Sequence, residues 1–335
     1  MILRAFLIRL ASSLATLFGV AVVVFVLVRV APGDPVAMML PPGATEADIA
    51  RLRGLYGLDR SLAEQFVIWL GNVLRGDWGT SITLRQPADQ LVLSRLPATL
   101  ELASLALLIA VVLGGAMAVL GARRRGRGGE FGVDLAAGVA LSIPDFLWGL
   151  FLILAFGVLW PVLAISGRVD PALEIPFTTN FYLVEALLRL RFDIFFNVLG
   201  HMLMPAVALA LPLAAMIAQL LKQSLKDQLD LDYARLARVR GLGETAVILR
   251  EAMRNAVLPT LTLVGVQFTF LIGGTVIVER LFSYQGLGNM AIDAVINRDL
   301  PLIQAIVLIF AGLFILINLA VDLSYAALNP RLRHG

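Results

Sequence analysis

Six long runs without Asp, Glu, Lys or Arg divide this chain of 335 residues. The runs are Leu10–Val28, Leu102–Ala122, Phe146–Ser166, His201–Leu221, Ala256–Val278 and Pro301–Val321. Each run has about the 20 residues that a helix needs to cross the hydrocarbon core of a bilayer. The third run is expected to begin earlier, near Leu135, so that Pro144 and Asp145 lie inside the span or at its edge. The pattern predicts an all-α integral membrane protein with six transmembrane helices.

The first run could also be the apolar part of a cleaved signal peptide, because Arg4 and Arg9 form a basic segment around its start. However, the run is longer than the apolar part of such a peptide, and no A-x-A cleavage site follows it. We therefore expect an uncleaved membrane anchor.

Basic residues indicate which loops face the cytoplasm, since short cytoplasmic loops carry an excess of Lys and Arg. With the N-terminus inside, 15 of the 27 basic residues lie in short cytoplasmic segments, and the cluster Arg123–Arg127 is the strongest indicator. We expect both termini in the cytoplasm. Residues 1–97 are predicted to form one transmembrane helix and an extracytoplasmic loop. Residues 98–335 are predicted to form a five-helix core with a cytoplasmic loop at 222–259.

Two short helices are predicted in the first outer loop. Thr45 with Asp48 and Ser61 with Glu64 have the spacing of capping boxes. The second box precedes an apolar helix face that consists of Leu62, Phe66, Trp69 and Val73. Such a face would cover the outer mouth of the helix bundle or provide a docking surface for an external protein, and the pattern is compatible with both.

An amphipathic helix is predicted in the inner loop that follows the fourth run. Its acidic residues come first and its basic residues last, as a helix macrodipole favours. One face carries Tyr233, Leu236, Ala237 and Arg240, and Gly241 ends the helix. A short amphipathic helix can lie on a lipid surface. Here alanines stand where bulky anchors would be expected, so a groove on another protein is the better fit.

The residue content of the chain excludes several classes of function. Hydrophobic residues make up 59% of the chain and charged residues 15%. The only two lysines, Lys222 and Lys226, do not follow a glycine, so the chain has no phosphate-binding P-loop. Cysteine is absent, and two histidines far apart cannot form a His-rich metal site. The arginines fall between the apolar runs and form no continuous basic face for a nucleic acid. The chain is expected to be a membrane pore whose energy source is a partner protein.

Five stretches, in order along nearly the whole chain, resemble one family of membrane proteins. They are Ala31–Pro35, Tyr56–Asp59 with Gly76–Ser81, Ser142–Gly149, Asp232–Leu242 with Arg254–Pro259, and Glu279–Gly288. The stretch Asp232–Leu242 resembles the cytoplasmic "EAA" loop of binding-protein-dependent ABC importer permeases. The whole set resembles the dipeptide/oligopeptide/nickel permeases, in their first (B-type) subunit. Three residues depart from the pattern: Arg235 replaces a glutamate, Gly243 a hydroxyl cap and Gln285 a proline.

The resemblance implies a type I ABC importer-like permease fold in the bacterial inner membrane. It also implies four kinds of partner: a second (C-type) permease subunit, two ATPase subunits or domains, an extracytoplasmic solute-binding protein and membrane lipid. ATP and Mg would bind to the partner ATPases, so this chain would carry no cofactor and no catalytic residue. Peptides are the implied substrates, while nickel complexes, glutathione and sugar oligomers remain open.

The resemblance also assigns roles to two segments. The inner helix would be the coupling helix, whose contact residues are Tyr233, Ala234, Leu236, Ala237, Arg240, Gly241 and Leu242. Its alanines Ala234 and Ala237 are predicted to pack in a cleft of an ATPase. On the outer side, residues near the docked binding protein or the pore mouth would be Phe66, Trp69, Asp77, Trp78 and Gly79.

Prolines and glycines within the spans are candidates for hinges or for the translocation pathway. They are Pro144, Pro205, Pro212, Gly273 and Gly274. The alternative is that these residues permit close helix packing. Glu279 lies near a span end and is expected at the membrane interface. A stand-alone secondary transporter or channel is the competing class. A proton-coupled transporter would be expected to bury an ionisable residue at mid-span, and the six runs contain no Asp, Glu, Lys or Arg. An intramembrane hydrolase is disfavoured because His201 lacks a paired nucleophile motif.

Overall fold

The structure is a computed structural model that describes residues 2–30, 45, 47, 59–126 and 128–328. Several sequence predictions lie outside the described residues. These are the helix predicted after Thr45, the motif residues Ala31–Pro35 and Tyr56–Leu58, and the basic residues Arg127, Arg331 and Arg333.

The described residues form twelve α-helices. They are α1 (Ile2–Val30), α2 (Leu62–Leu74), α3 (Ala88–Arg123), α4 (Gly128–Ser142), α5 (Asp145–Leu152), α6 (Tyr182–Leu188), α7 (Phe192–Leu229), α8 (Asp232–Val239), α9 (Glu244–Ala246), α10 (Met253–Leu281), α11 (Leu287–Ile296) and α12 (Leu300–Leu328). Two π-helical segments continue them: Ile153–Leu159 extends α5, and Val247–Ala252 joins α9 to α10. The predicted all-α architecture is confirmed.

Five of these helical stretches are continuous and long enough to cross a membrane. They lie in α1, α3, α7, the stretch from α9 through α10, and α12. The sixth candidate is a broken span in which α4 and the α5 segment meet at an angle of 100°. Five to six spans agree with the expected multi-pass architecture.

The third predicted run differs in shape from a simple span. Pro144 stands at the break and caps α5, where its ring and missing N–H prevent a continuous helix. The prediction extended this span to Ser166, but the helix ends at Leu159. Pro161 disfavours a helical conformation of Trp160, whose φ and ψ are −125° and 83°. Residues 160–166 are therefore apolar but not helical.

The chain divides into two compact units. One contains Met1–Leu96 and Met290–Leu316, and the other contains Pro97–Asn289 and Ile317–Gly335. The second unit holds the cluster of buried apolar residues that supports α8, which we call the inner cluster. Its members are Ala118, Ala122, Leu221, Leu225, Leu229, Ala234, Ala237, Val247, Ile248, Ala252 and Ala256. The division at residue 97 into an N-terminal region and a core stays a prediction.

Candidate functional site

The helix α8 ends as the sequence predicts. Its last residue is Val239, and Gly241 has a φ of +86°. The Gly241 N–H donates to the Arg238 carbonyl at 2.9 Å, and the Leu242 N–H donates to the Ala237 carbonyl at 3.2 Å. This pair of bonds closes a helix at a left-handed residue, a conformation that glycine adopts without steric cost. The chain therefore reverses at Gly241.

Ala234 and Ala237 face the interior of this chain. Their exposed fractions are 0% and 5%, and both belong to the inner cluster. Tyr233 and Leu242 are partly buried against the same cluster. The prediction that the two alanines pack in a cleft of an ATPase is therefore wrong. Their small side chains instead allow α8 to lie against α7 and the segment Val247–Ala252.

The opposite face of α8 is exposed and combines apolar with basic side chains. Leu236 is 49% exposed and Val239 is 83% exposed, and both Arg235 and Arg240 are exposed beside them. The spacing of these four residues places them on one side of the helix. We call this set the outward face of α8. Val239 was absent from the predicted contact residues because it lies outside the face that the sequence pattern selected.

A charged pair fixes the end of α8 to the next helix. Arg238 Nη2 lies 2.8 Å from Glu244 Oε1, and Arg238 Nη1 donates to the Leu229 carbonyl at 3.1 Å. The hydrogen bond with the Glu244 carboxylate raises the pKa of Arg238 above its ordinary value. These bonds hold α8 in place, so that the outward face has a defined direction.

The predicted helix after Ser61 is present, and its aromatic side chains pack on α1. Ser61 and Glu64 form the predicted capping box of α2. The ring centroid of Phe66 lies 5.2 Å from that of Phe25 in α1, and the ring centroid of Trp69 lies 5.5 Å from that of Phe25. The two rings pack on α1 and remain partly exposed, so their place near the docked binding protein or the pore mouth stays a prediction. The periodicity of the sequence identified the apolar face of α2, but it could not show that this face packs against α1.

The segment after α2 is held by a buried carboxylate. Asp77 Oδ1 accepts a hydrogen bond from the Gly79 N–H at 3.0 Å. Two residues later, Ser81 Oγ lies 2.5 Å from Asp299 Oδ2, which also accepts from the Thr83 N–H at 3.0 Å. Ser81 and Asp299 are each 1% exposed. Asp77 is exposed, while Trp78 and Gly79 are partly buried. The motif that contains these residues therefore forms a fixed turn.

Glu279 organises the turn between α10 and α11. It is fully buried within the protein, two residues before the end of α10, and its expected position at the membrane interface stays a prediction. Thr99 Oγ1 donates to Glu279 Oε1 at 2.7 Å and accepts from the Leu287 N–H at 2.8 Å. A Cβ at Gly286 would collide with the Glu279 carboxylate, and one at Gly288 would lie 3.0 Å from it. The glycines are required because the carboxylate fills the turn.

A buried ion pair that the sequence analysis missed joins α3 to the connection before α6. Arg168 Nη2 lies 2.8 Å from Glu101 Oε2, and the side chains are 5% and 3% exposed. The guanidinium carbon of Arg168 also lies 3.9 Å from the ring centroid of Tyr182. Glu101 Oε1 accepts hydrogen bonds from the Leu183 and Val184 N–H groups. The two charged residues are 67 positions apart, and nothing in the sequence links them.

The candidate hinge residues divide into three groups. Pro144 lies at the break between α4 and α5. Pro205 and Pro212 lie inside α7, which continues through both. A Cβ at Gly273 or Gly274 would meet no atom within 4 Å, so these glycines do not serve close packing within this chain. Of these five residues, only Pro144 lies at a bend of a candidate span in the described part of the chain.

Two family models match the sequence. The model described as "Binding-protein-dependent transport system inner membrane component" matches residues 106–334. A second, described as the N-terminal component of such membrane proteins, matches residues 2–103.

Similar proteins align with 97% of this chain. The di/tripeptide transport system permease protein of Pseudomonas aeruginosa is 37% identical over 97% of its own length. The oligopeptide transport system permease protein of Bacillus subtilis is 33% identical over 98% of its length. The glutathione transport system permease protein of Salmonella typhimurium is 36% identical over 97% of its length.

Proposed function

Because this chain belongs to the family of binding-protein-dependent transport system inner membrane components, we propose that it forms half of the translocation pathway of an ATP-driven importer of short peptides. The family makes the chain a multi-pass permease of the inner membrane. The proposal adds the substrate, the partners and the surface through which ATP hydrolysis acts.

The outward face of α8 is the observation that carries this proposal. Leu236 and Val239 form an exposed apolar patch between Arg235 and Arg240, and the burial of α8 on the inner cluster gives the patch a firm support. A helix that presents apolar anchors one turn apart suits a groove on another protein. We assign α8 as the coupling helix, with its outward face in the cleft of an ATPase.

The partners follow from what the chain lacks and from the name of its family. The sequence has no Gly-Lys pair for a P-loop, so ATP and Mg would bind to two partner ATPase subunits or domains. A second permease would supply the other half of the pathway, and an extracytoplasmic binding protein would deliver the solute. Closure of the ATPases would move the coupling helices and change the populations of the inward-open and outward-open states.

Peptides are the proposed substrates because the names of the three relatives share this chemistry. One name specifies di- and tripeptides, one oligopeptides, and one glutathione, which is itself a tripeptide. Uptake of a labelled dipeptide, tripeptide and glutathione into proteoliposomes that contain the complete transporter would rank these substrates. The absence of uptake for all three would contradict the proposed substrate class.

The variant Val239→Asp tests the role of α8. A charge in the packed groove would lose its hydration, at a cost of several kcal/mol, so we expect a loss of peptide uptake by at least an order of magnitude. The matched control is Gln86→Glu, which adds the same charge at an exposed position in the turn before α3. We expect the control to transport normally. Wild-type uptake in Val239→Asp would show that the outward face is not the coupling surface.

A further inference from the structure

Both lysines of this chain contact acidic residues of α4. Lys222 Nζ forms an ion pair with Asp134 and lies 3.8 Å from Glu130 Oε1. One turn further along α7, Lys226 forms an ion pair with Glu130. These four residues, which we call the lysine clamp, therefore join α7 to α4 at two successive turns.

The clamp is largely removed from solvent. The side chains of Lys222 and Glu130 are 10% and 15% exposed, and that of Lys226 is 22% exposed. Asp134 is the exception, with 48% exposed. Removal of one partner from such a pair leaves an uncompensated charge in a poorly hydrated place, which is more disruptive than the loss of an exposed pair.

A third helix provides room for the clamp. The aliphatic part of Lys222 lies across α3 at Gly121, where an added Cβ would be 2.7 Å from Lys222 Cδ and 3.4 Å from Val133 Cγ1 of α4. Lys222 thus passes through the junction of α3, α4 and α7. A side chain at Gly121 would displace it.

The same turns of α7 carry the coupling helix. Leu221 and Leu225 alternate with the two lysines along α7, and both belong to the inner cluster that also contains Ala234 and Ala237 of α8. One side of this end of α7 therefore supports α8, and another side is bound to α4. The end of α7 therefore connects α8 to α4.

Apolar contacts alone do not define how far one helix can slide along another. Buried charged pairs are best attested as devices that fix such a register. The helix α4 is the first limb of the broken span, and α5 follows after the 100° bend at Pro144. A fixed register between α7 and α4 would pass the motion of α8 to this bend.

We propose that Lys222 and Lys226 are positioning residues for transport, which make α4 move together with the coupling helix. This inference rests on the proposed function of α8. Without the clamp, the ATPases still dock and hydrolyse ATP, but the broken span follows the motion of α8 incompletely. The amount of peptide imported for each ATP hydrolysed decreases.

The test compares three variants in proteoliposomes that contain the complete transporter and its binding protein. Lys222→Gln with Lys226→Gln removes both positive charges, and we expect normal ATP hydrolysis with uptake per ATP reduced about fivefold or more. The fourfold exchange (Lys222→Glu, Lys226→Glu, Glu130→Lys and Asp134→Lys) restores the ion pairs with reversed charge but removes the hydrogen bond from the Gly126 N–H to Glu130 Oε2. We expect this exchange to raise the ratio above that of the double glutamine variant, which a requirement for side-chain size or polarity alone would not allow.

The matched control is Arg191→Gln. Arg191 forms an ion pair with Asp193 at 2.6 Å, but these side chains are 43% and 53% exposed. The pair lies at the start of α7, at the opposite end from the clamp, so the ratio should not change. A wild-type ratio in the double glutamine variant, or an equal loss in the control, would overturn the proposal. If the double variant does not assemble, Lys226→Gln carries the test, and a wild-type ratio there would overturn it.

A distance measurement separates this inference from the proposed function. Spin labels at Gly128 in α4 and at Leu231, the exposed N-cap residue of α8, report their separation with and without trapped ATP. We expect this separation to stay constant in the wild type and to change in the double glutamine variant. A wild-type transporter that hydrolyses ATP but imports no peptide would contradict the proposed substrate alone. A separation that behaves identically in both proteins would contradict the clamp.

Discussion

At the scale of single residues, burial distinguishes the residues that support α8 from those that a partner can reach. The sequence predicted the end of α8 correctly, because a glycine after an amphipathic stretch has a local meaning. It could not predict what covers Ala234 and Ala237. Small residues suit a groove in a partner and a close contact within the chain equally well, and only the position of α7 decides between them.

Gly286→Ala tests the role of Glu279 in its turn. The new Cβ would collide with the Glu279 carboxylate, and overpacking of this kind costs about 1–3 kcal/mol. We expect a lower unfolding temperature for the purified protein in detergent. The matched control is Gly273→Ala, where the Cβ meets open space and the helix gains about 0.5–1 kcal/mol. Equal unfolding temperatures for the two variants would contradict this account of the turn.

At the scale of elements, local signals were reliable and their long-range consequences were not. Ser61 and Glu64 form the predicted box at the start of α2, since a capping box involves only neighbouring residues. The third apolar run has the length of a membrane span, yet Pro144 and Pro161 confine its helices to residues 145–159 and separate them from α4. The hydropathy pattern indicates how long an apolar run is, but it does not show where the helix within that run breaks or ends.

Asp299→Ala should loosen the turn that follows α2. It removes the acceptor for the Ser81 hydroxyl and the Thr83 N–H, and each unsatisfied buried group costs about 1–3 kcal/mol. We expect faster tryptic cleavage after Arg85, an exposed residue in this turn. As a control, Asp59→Ala alters an exposed carboxylate at the start of the same described segment. Cleavage at the wild-type rate in Asp299→Ala would refute the role of the buried carboxylate.

At the scale of the whole molecule, the contacts that fix the second unit join distant positions. Thr99 and Glu279 are 180 residues apart, and Glu101 and Arg168 are 67 apart. In the sequence, Glu101, Arg168 and Glu279 are recognisable only as charged residues near the ends of apolar runs. Their pairing depends on how the helices pack, which a single sequence does not encode in any local pattern. The expected cytoplasmic location of both termini stays a prediction.

The most direct test of the central claim is a cross-link from α8 to an ATPase. The chain contains no cysteine, so Val239→Cys and Ala234→Cys each introduce the sole thiol of this subunit for a thiol-reactive photo-cross-linker. In the assembled transporter, we expect an ATPase adduct from the exposed position 239 and none from the buried position 234. An adduct from position 234, with none from position 239, would contradict it.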